Sequence, residues 1–293
     1  MIEYIIGRND AGLRADRFLF KATSAPSSLI YKTFRKKDVK INGKWIKEDY
    51  QLSEGDLLRI YIKEDFRTQK EVDECPLTAE IVFEDKNIVI FNKPSGLMCQ
   101  PDKLHPTGTL SDMLKSYLTS NGEYEAGTES SFSPALCNRI DTNTNGLVIG
   151  AKNAQALRDM NELIRLRYVK KYYLCSVEGK PERKSDNVNA FIKKDENANK
   201  SEISKTDGKE ISMEYSVLET KNNISEIEVL LHTGRSHQIR AYFSSIGCPL
   251  VGDKKYGAKS HGGQKLTAYK LVFDFPEDYD GILSYLNKKK FTV

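Results

Sequence analysis

The stretch Asn138-Arg139-Ile140-Asp141-Thr142-Asn143-Thr144-Asn145-Gly146 runs directly into Leu147-Val148-Ile149. A short apolar run behind a polar, small-residue segment reads as a buried strand entered from a turn. Asp141 therefore lies on an irregular loop feeding a rigid core element, a setting in which reactive carboxylates are commonly held. Taken alone, Asp141 and Asn143 read more readily as loop residues whose side chains hydrogen-bond nearby backbone.

Working outward, the chain alternates short strands with a few helices. Residues 2–6 read as a strand, 13–21 as a short helix, and 29–35 as a second helix with Ser27 and Ser28 as N-cap candidates. Ile30 and Phe34 are four apart and share a face. Lys32, Arg35, Lys36 and Lys37 cluster at the helix end, where positive charge is favoured whatever its use. Asn42-Gly43 between Val39-Lys40-Ile41 and Lys44-Trp45-Ile46 signals a hairpin, because both turn positions need positive φ. Gly55-Asp56 marks another turn before an alternating strand over 57–62. Residues 64–76 are polar and charge-rich and read as a linker.

Strands follow over 77–84 and 87–91. Asn92-Lys93-Pro94-Ser95-Gly96 is a fixed turn, with Lys93 a candidate phosphate contact. A helix is expected over 109–118, a surface loop over 121–133, and an amphipathic helix over 154–167 with Leu157, Met160, Leu163 and Ile164 inward. A strand over 168–177 turns Tyr172 and Tyr173 to opposite faces. The polar stretch 180–210 suggests a strand pair with a mobile loop, and Asn222-Asn223 joins strands over 211–218 and 224–231. Ser236 is the candidate cap of a helix to residue 246 that buries Ile239, Phe243 and Ile246 and is ended by Gly247 and Pro249. A late strand covers 266–273.

Composition narrows the class. The chain is 39% hydrophobic, and no run approaches the ~18 apolar residues of a spanning helix. The start lacks a basic segment followed by a long apolar one, so no secretory signal is expected. Cys75, Cys99, Cys137, Cys175 and Cys248 form no Cys-x-x-Cys pair, and His232 and His237 are five apart. This points to a reducing, cytoplasmic setting, with no metal and no cofactor. Net charge is +4, yet residues 1–63 carry 13 Lys+Arg against 8 Asp+Glu. A basic front on a near-neutral body suggests a polyanion contact.

Two further stretches change the weight on Asp141: Gly234-Arg235-Ser236-His237-Gln238-Ile239-Arg240, and Gly247-Cys248-Pro249-Leu250-Val251-Gly252-Asp253. With Asn138–Gly146 they resemble the RluA-type pseudouridine synthase family, which carries His-Arg-Leu-Asp then Thr-Ser-Gly, Gly-Arg-Thr-His-Gln-Ile-Arg, and Gly-His-Pro-Leu-Val-Gly-Asp. The departures are Asn138, Asn145 and Cys248, and they leave the Arg, Asp and Gly positions intact. Lys171-Tyr172-Tyr173-Leu174 is similar to the family's Lys-x-Tyr-x motif. The first 63 residues, with two helices, Val-x-Ile-Asn-Gly and a Gly-Asp turn, resemble the S-four-type RNA-binding domain.

The resemblance implies an α+β fold: a mixed, mainly antiparallel sheet flanked by helices, with an RNA cleft across it. It implies three segments: an RNA-binding domain over 1–63, a linker over 64–76 and a catalytic domain over 77–293. It implies isomerisation of uridine in RNA, most like the subgroup acting on large-subunit ribosomal RNA, by a monomeric enzyme. Asp141 would be catalytic, as attacker of the sugar, as attacker of the base, or as proton acceptor. Arg240 would pair with it, with Arg235 as rival. Tyr173 would stack on the uracil, and Arg139 would fill the gap of the extruded base or grip phosphate. Ser28, Arg35, Lys36, Lys37 and Lys40 would contact RNA. Two other classes stay open: a non-catalytic RNA-binding or ribosome-assembly protein, and an N-glycoside hydrolase, which would need a second carboxylate for water.

Overall fold

The computed structural model describes residues 1–64, 66, 72–126, 131–195, 200–204 and 206–293. The front of the chain builds a four-stranded sheet from β1 (Ile2–Ile5), β2 (Val39–Ile41), β3 (Lys44–Trp45) and β4 (Leu57–Ile60), in the order β1-β4-β2-β3. Helices α1 (Ala15–Ala22) and α2 (Ser27–Arg35) pack on it around Phe18, Leu19, Ile30, Leu58 and Ile60. The Asn42-Gly43 turn has φ of 49° and 85°, as a tight hairpin between twisted strands requires.

The rest is one eleven-stranded sheet. Its strands are β5 (Glu80–Glu84), β6 (Ile88–Lys93), β7 (Ala135–Leu136), β8 (Asn145–Ala151), β9 (Val169–Glu178), β10 (Ser185–Asp195), β11 (Lys200–Ser204), β12 (Lys209–Lys221), β13 (Ile224–Leu231), β14 (Leu266–Phe273) and β15 (Lys290–Thr292). The order is β11-β10-β12-β13-β9-β14-β8-β6-β5, with β15 on β14 and β7 on β8. All pairs are antiparallel except β14 with β8. Helices α3 (Leu110–Ser120), α4 (Ala154–Arg165) and α5 (Gln238–Ser245) flank it. The fold is α+β with a mixed, mainly antiparallel sheet. No helix among the described residues is long and apolar enough to cross a membrane.

The apolar runs that identified the central strands are explained by burial on both faces. In β8, Leu147 and Ile149 join one core cluster with α4, while Val148 joins another with Phe91, Leu114 and Phe243. Strand alternation holds equally in β9, where Tyr173 is buried and Tyr172 lies under the Lys270 ammonium at 3.9 Å.

Three local expectations are corrected. Helix α2 begins at Ser27 with Pro26 at its N-cap, so Ser27 and Ser28 are first-turn residues. Helix α5 begins at Gln238 behind His237, and no side chain caps it, so Ser236 is not its cap. It ends at Ser245, which takes Ile246 out of helical register and leaves it 40% exposed. The expected mobile loop in 180–210 falls on residues 196–199 and 205, and much of the expected linker on 65 and 67–71, outside the described residues.

Asn9 and Asp10 tie the front of the chain to the large sheet's unit. Asn9 Oδ1 accepts the Ala154 amide at the start of α4, 3.0 Å away. Asp10, 2% exposed, accepts both the backbone N–H and the hydroxyl of Ser131. Asp10→Ala would strip the acceptor from two buried donors, so unfolding stability should fall by about 1–3 kcal/mol. Urea unfolding measures this, and a shift below roughly 0.5 kcal/mol, the level of an ordinary surface change, would refute the contact's importance.

Candidate active site

The 138–146 loop is fixed residue by residue. Asn138 ties its start to the following strand: its Oδ1 accepts the Ile149 amide at 2.8 Å, and its Nδ2 donates to the Leu147 carbonyl at 3.4 Å. The Ile140 carbonyl accepts the Cys99 thiol at 3.4 Å, and the Asn143 carbonyl accepts the Ser95 hydroxyl at 3.0 Å. Buried Thr144 is held by Gln264, 2.7 Å away. Gly146 has φ of 116°, and a Cβ there would collide with the Ala268 carbonyl of the parallel strand β14. Only glycine lets the loop turn into β8 at this point.

Lys93, the candidate phosphate contact, is fully buried instead. Its ammonium donates to the carbonyls of Leu97 (2.6 Å), Pro94 (2.9 Å) and Thr142 (3.0 Å). An ammonium has three donors and here meets three acceptors. Burial pulls its pKa down to about 8, opposed by Cys99 and Asp141, so it stays charged at neutral pH. It buttresses the turn before α3 and the residue after Asp141.

Asp141 is the point where these supports converge, with its side chain 27% exposed. Arg240, from the first turn of α5, reaches it through Nη1 at 3.0 Å from Oδ2. The same guanidinium is gripped from behind by Asp253: Nε to Oδ2 at 2.7 Å and Nη2 to Oδ1 at 3.0 Å. Its face lies on Tyr256, 4.8 Å from the ring centre. Burial lowers the pKa of Arg240, but the hydrogen bonds and charge of Asp253, with the charge of Asp141, more than offset this and raise it. A permanent cation is thus fixed against one oxygen of Asp141. Among the described residues nothing donates to the other oxygen, Oδ1.

A cleft of about 780 Å³ opens over this carboxylate, lined in part by Arg139, Tyr173, Arg235, His237 and Lys255. Its volume suits an extruded nucleotide. Tyr173 is 7% exposed, and burial, then the Asp141 charge, drives its hydroxyl pKa upward. Its phenol is therefore protonated at neutral pH. Arg139 is exposed and donates to Gln100 at 3.1 Å. Arg235 is exposed and donates to the Glu210 carbonyl at 3.2 Å, so Arg240 and not Arg235 meets Asp141. Among the described residues, no three His, Cys, Asp or Glu side chains gather as metal ligands.

Away from the cleft, Ser28, Arg35, Lys36 and Lys37 are exposed on α2 and just beyond it, and Lys40 is half-buried on β2. Lys37 lies 4.9 Å from the ring of exposed Trp45, and Lys40 lies 5.1 Å from that of Tyr61. Asp253, His237 and Tyr256 were not singled out from sequence as site residues. Asp253 was within view as the last residue of the Gly247–Asp253 motif, but its pairing depends on a chain reversal that spacing does not disclose.

The family described as RNA pseudouridylate synthase matches residues 87–245. An RNA pseudouridine synthase of Bacillus subtilis, YlyB, is 31% identical over 90% of this chain and 86% of its own. The ribosomal large subunit pseudouridine synthase C of Haemophilus influenzae is 30% identical over 93% of this chain and 87% of its own. The fold is similar to that of human RNA pseudouridylate synthase domain containing 1, with a TM-score of 0.55 at 22% identity over 70% of this chain and 81% of that one. The chain belongs to the RNA pseudouridylate synthase family. It is an isomerase that acts on RNA.

Because β9 buries Tyr173 in the cleft and turns Tyr172 away, the two rings should respond differently to loss of the hydroxyl. Tyr173→Phe keeps the flat apolar ring, so RNA affinity should hold. If the phenol handles a proton, conversion should drop by on the order of 10²–10⁴. Single-turnover conversion for Tyr173→Phe and Tyr172→Phe decides it: equal rates would confine Tyr173 to packing.

Proposed function

We propose that Asp141 is the reacting carboxylate of a uridine-to-pseudouridine isomerisation in large-subunit ribosomal RNA. The reaction breaks the bond from N1 to the anomeric carbon, turns the uracil, and joins that carbon to C5. The C5 proton leaves and N1 gains one, so RNA mass is unchanged and no oxidant or energy source is consumed. The observation that carries the proposal is the asymmetry at Asp141, a residue lining the cleft, whose Oδ2 is held by Arg240 while Oδ1 has no hydrogen-bond donor among the described residues. The fixed guanidinium holds Oδ2 and so orients the free oxygen. That geometry serves attack on the sugar, attack on the base, or removal of a ribose proton alike.

In this reading Tyr173 stacks on the uracil, and Arg139 fills the vacated stack or grips an adjacent phosphate. The cations around the cleft favour a polyanion. Residues 1–63 act as an S-four-type RNA-binding domain through Ser28, Arg35, Lys36, Lys37 and Lys40, with 64–76 as linker and 77–293 as catalytic domain. The ribosomal target is supported by the Haemophilus influenzae relative, named for the large ribosomal subunit. The enzyme works as a monomer in the cytoplasm.

Asp141→Asn is nearly isosteric and removes the charge, so it should abolish conversion while RNA binding persists. Pseudouridine mapping of ribosomal RNA, with and without the gene and with the variant, tests this. Loss of a mapped site in both backgrounds is expected. Near-normal conversion by Asp141→Asn would remove Asp141 from the chemistry, and released uracil would indicate hydrolysis instead.

A further inference from the structure

His237 precedes α5 in the left-handed region, with φ of 55° and ψ of 23°. That conformation is uncommon for a non-glycine residue, though His is one of those that tolerate it. Its imidazole is wedged between two partners. Nδ1 is 2.9 Å from the Tyr256 hydroxyl, and Nε2 is 3.8 Å from Asp141 Oδ2, the oxygen already held by Arg240.

The direction of the first hydrogen bond follows from Tyr256. Its ring is 3% exposed, and its oxygen accepts the Ser201 amide from β11 at 2.8 Å. A buried phenol O–H must itself find an acceptor. The Ser201 amide and side chain both act on this oxygen as donors, which leaves Nδ1 of His237 as the acceptor for its hydrogen. Nδ1 is then unprotonated, and a neutral imidazole must carry its hydrogen on Nε2, facing Asp141.

We propose that His237 is a positioning residue, a neutral Nε2–H donor that Tyr256 sets in this tautomer and that closes on Asp141 Oδ2 when RNA binds. With Arg240 it holds Oδ2 from two sides and leaves Oδ1 to react. Catalytic hydrogen bonds often tighten only in the substrate complex, and 3.8 Å is an open-state separation of that kind. The charged groups facing the ring are Asp141, Arg240, Lys255 and Asp253. Burial is the largest influence on His237 and lowers its pKa below 6.5; Arg240 and Lys255 act with it, while Asp141 and Asp253 oppose it. The folded protein therefore holds this imidazole neutral at pH 7. As pH falls through the unfolded value, the unfolded chain takes up the proton first, and stability declines.

The inference rests on Asp141 as the reacting group, so the test includes a readout independent of turnover. The chain has 4 histidines, which makes ¹⁵N imidazole NMR of the full-length protein tractable, with His237→Asn identifying the signal. Asn tolerates positive φ yet is too short to reach Asp141. The expected spectrum at pH 7 is the Nε2–H tautomer, titrating below 6.5, with Tyr256→Phe raising the midpoint and mixing the tautomers. His237→Asn should slow single-turnover conversion about tenfold at unchanged RNA affinity, the size of one hydrogen bond to a charged group. An Nδ1–H or charged imidazole at pH 7, or an unchanged rate in His237→Asn, overturns the proposal. Failure of Asp141 as the reacting residue would instead leave the tautomer as stated and appear only in Asp141→Asn.

Discussion

The site depends on one buried guanidinium shared between two carboxylates. Arg240 is 9% exposed at its side chain and Asp253 is 3% exposed. Neither charge is tolerable there alone, since an unpaired buried ion costs several kcal/mol. Together they form a fork-on-carboxylate pair whose geometry leaves one Arg240 nitrogen directed at Asp141. Asp253 thereby does for Arg240 what Arg240 does for Asp141. The ordering runs from the buried end of the chain of charges to the exposed end, so the Asp141 carboxylate inherits its position from the core.

The fold supplies the same rigidity from the other side. Strand β8 is buried on both faces and anchors the loop's exit, while Asn138 anchors its entry. Lys93 ties the residue after Asp141 to the end of β6. In this way the antiparallel pair β6–β8 and the parallel contact with β14 turn an irregular segment into a fixed one. The Asp141 side chain is left with one oxygen committed and one free, over a cleft bounded by cations.

Much of this was legible in the sequence because the signals are local. The Asn-Gly hairpin, the amphipathic α4 and the alternation of Tyr172 with Tyr173 each depend on residues within a few positions. The motifs also brought Asp141, Tyr173 and Arg240 forward as one site. What stayed hidden required partners distant in sequence. Lys93 reads as a surface cation until Thr142, 49 residues on, is seen to accept from it. His237 looks like a failed metal ligand until Tyr256 and Ser201 give its ring a direction. Ile246 was assigned to the core because helical spacing was extended one residue past the point where α5 stops.

Arg240 bridges Asp253 and Asp141 by the shape of its guanidinium, which a positive charge alone would not do. Arg240→Lys keeps the charge but offers a single point of donation that cannot grip two carboxylates in the same geometry. The direct measurement is single-turnover conversion by Arg240→Lys beside Arg240→Ala, on folded protein with matched RNA affinity. The account predicts that Lys rescues little, with both variants slowed by on the order of 10²-fold or more, the scale of a lost electrostatic contact in an active site. A lysine variant working near the wild-type rate would contradict it.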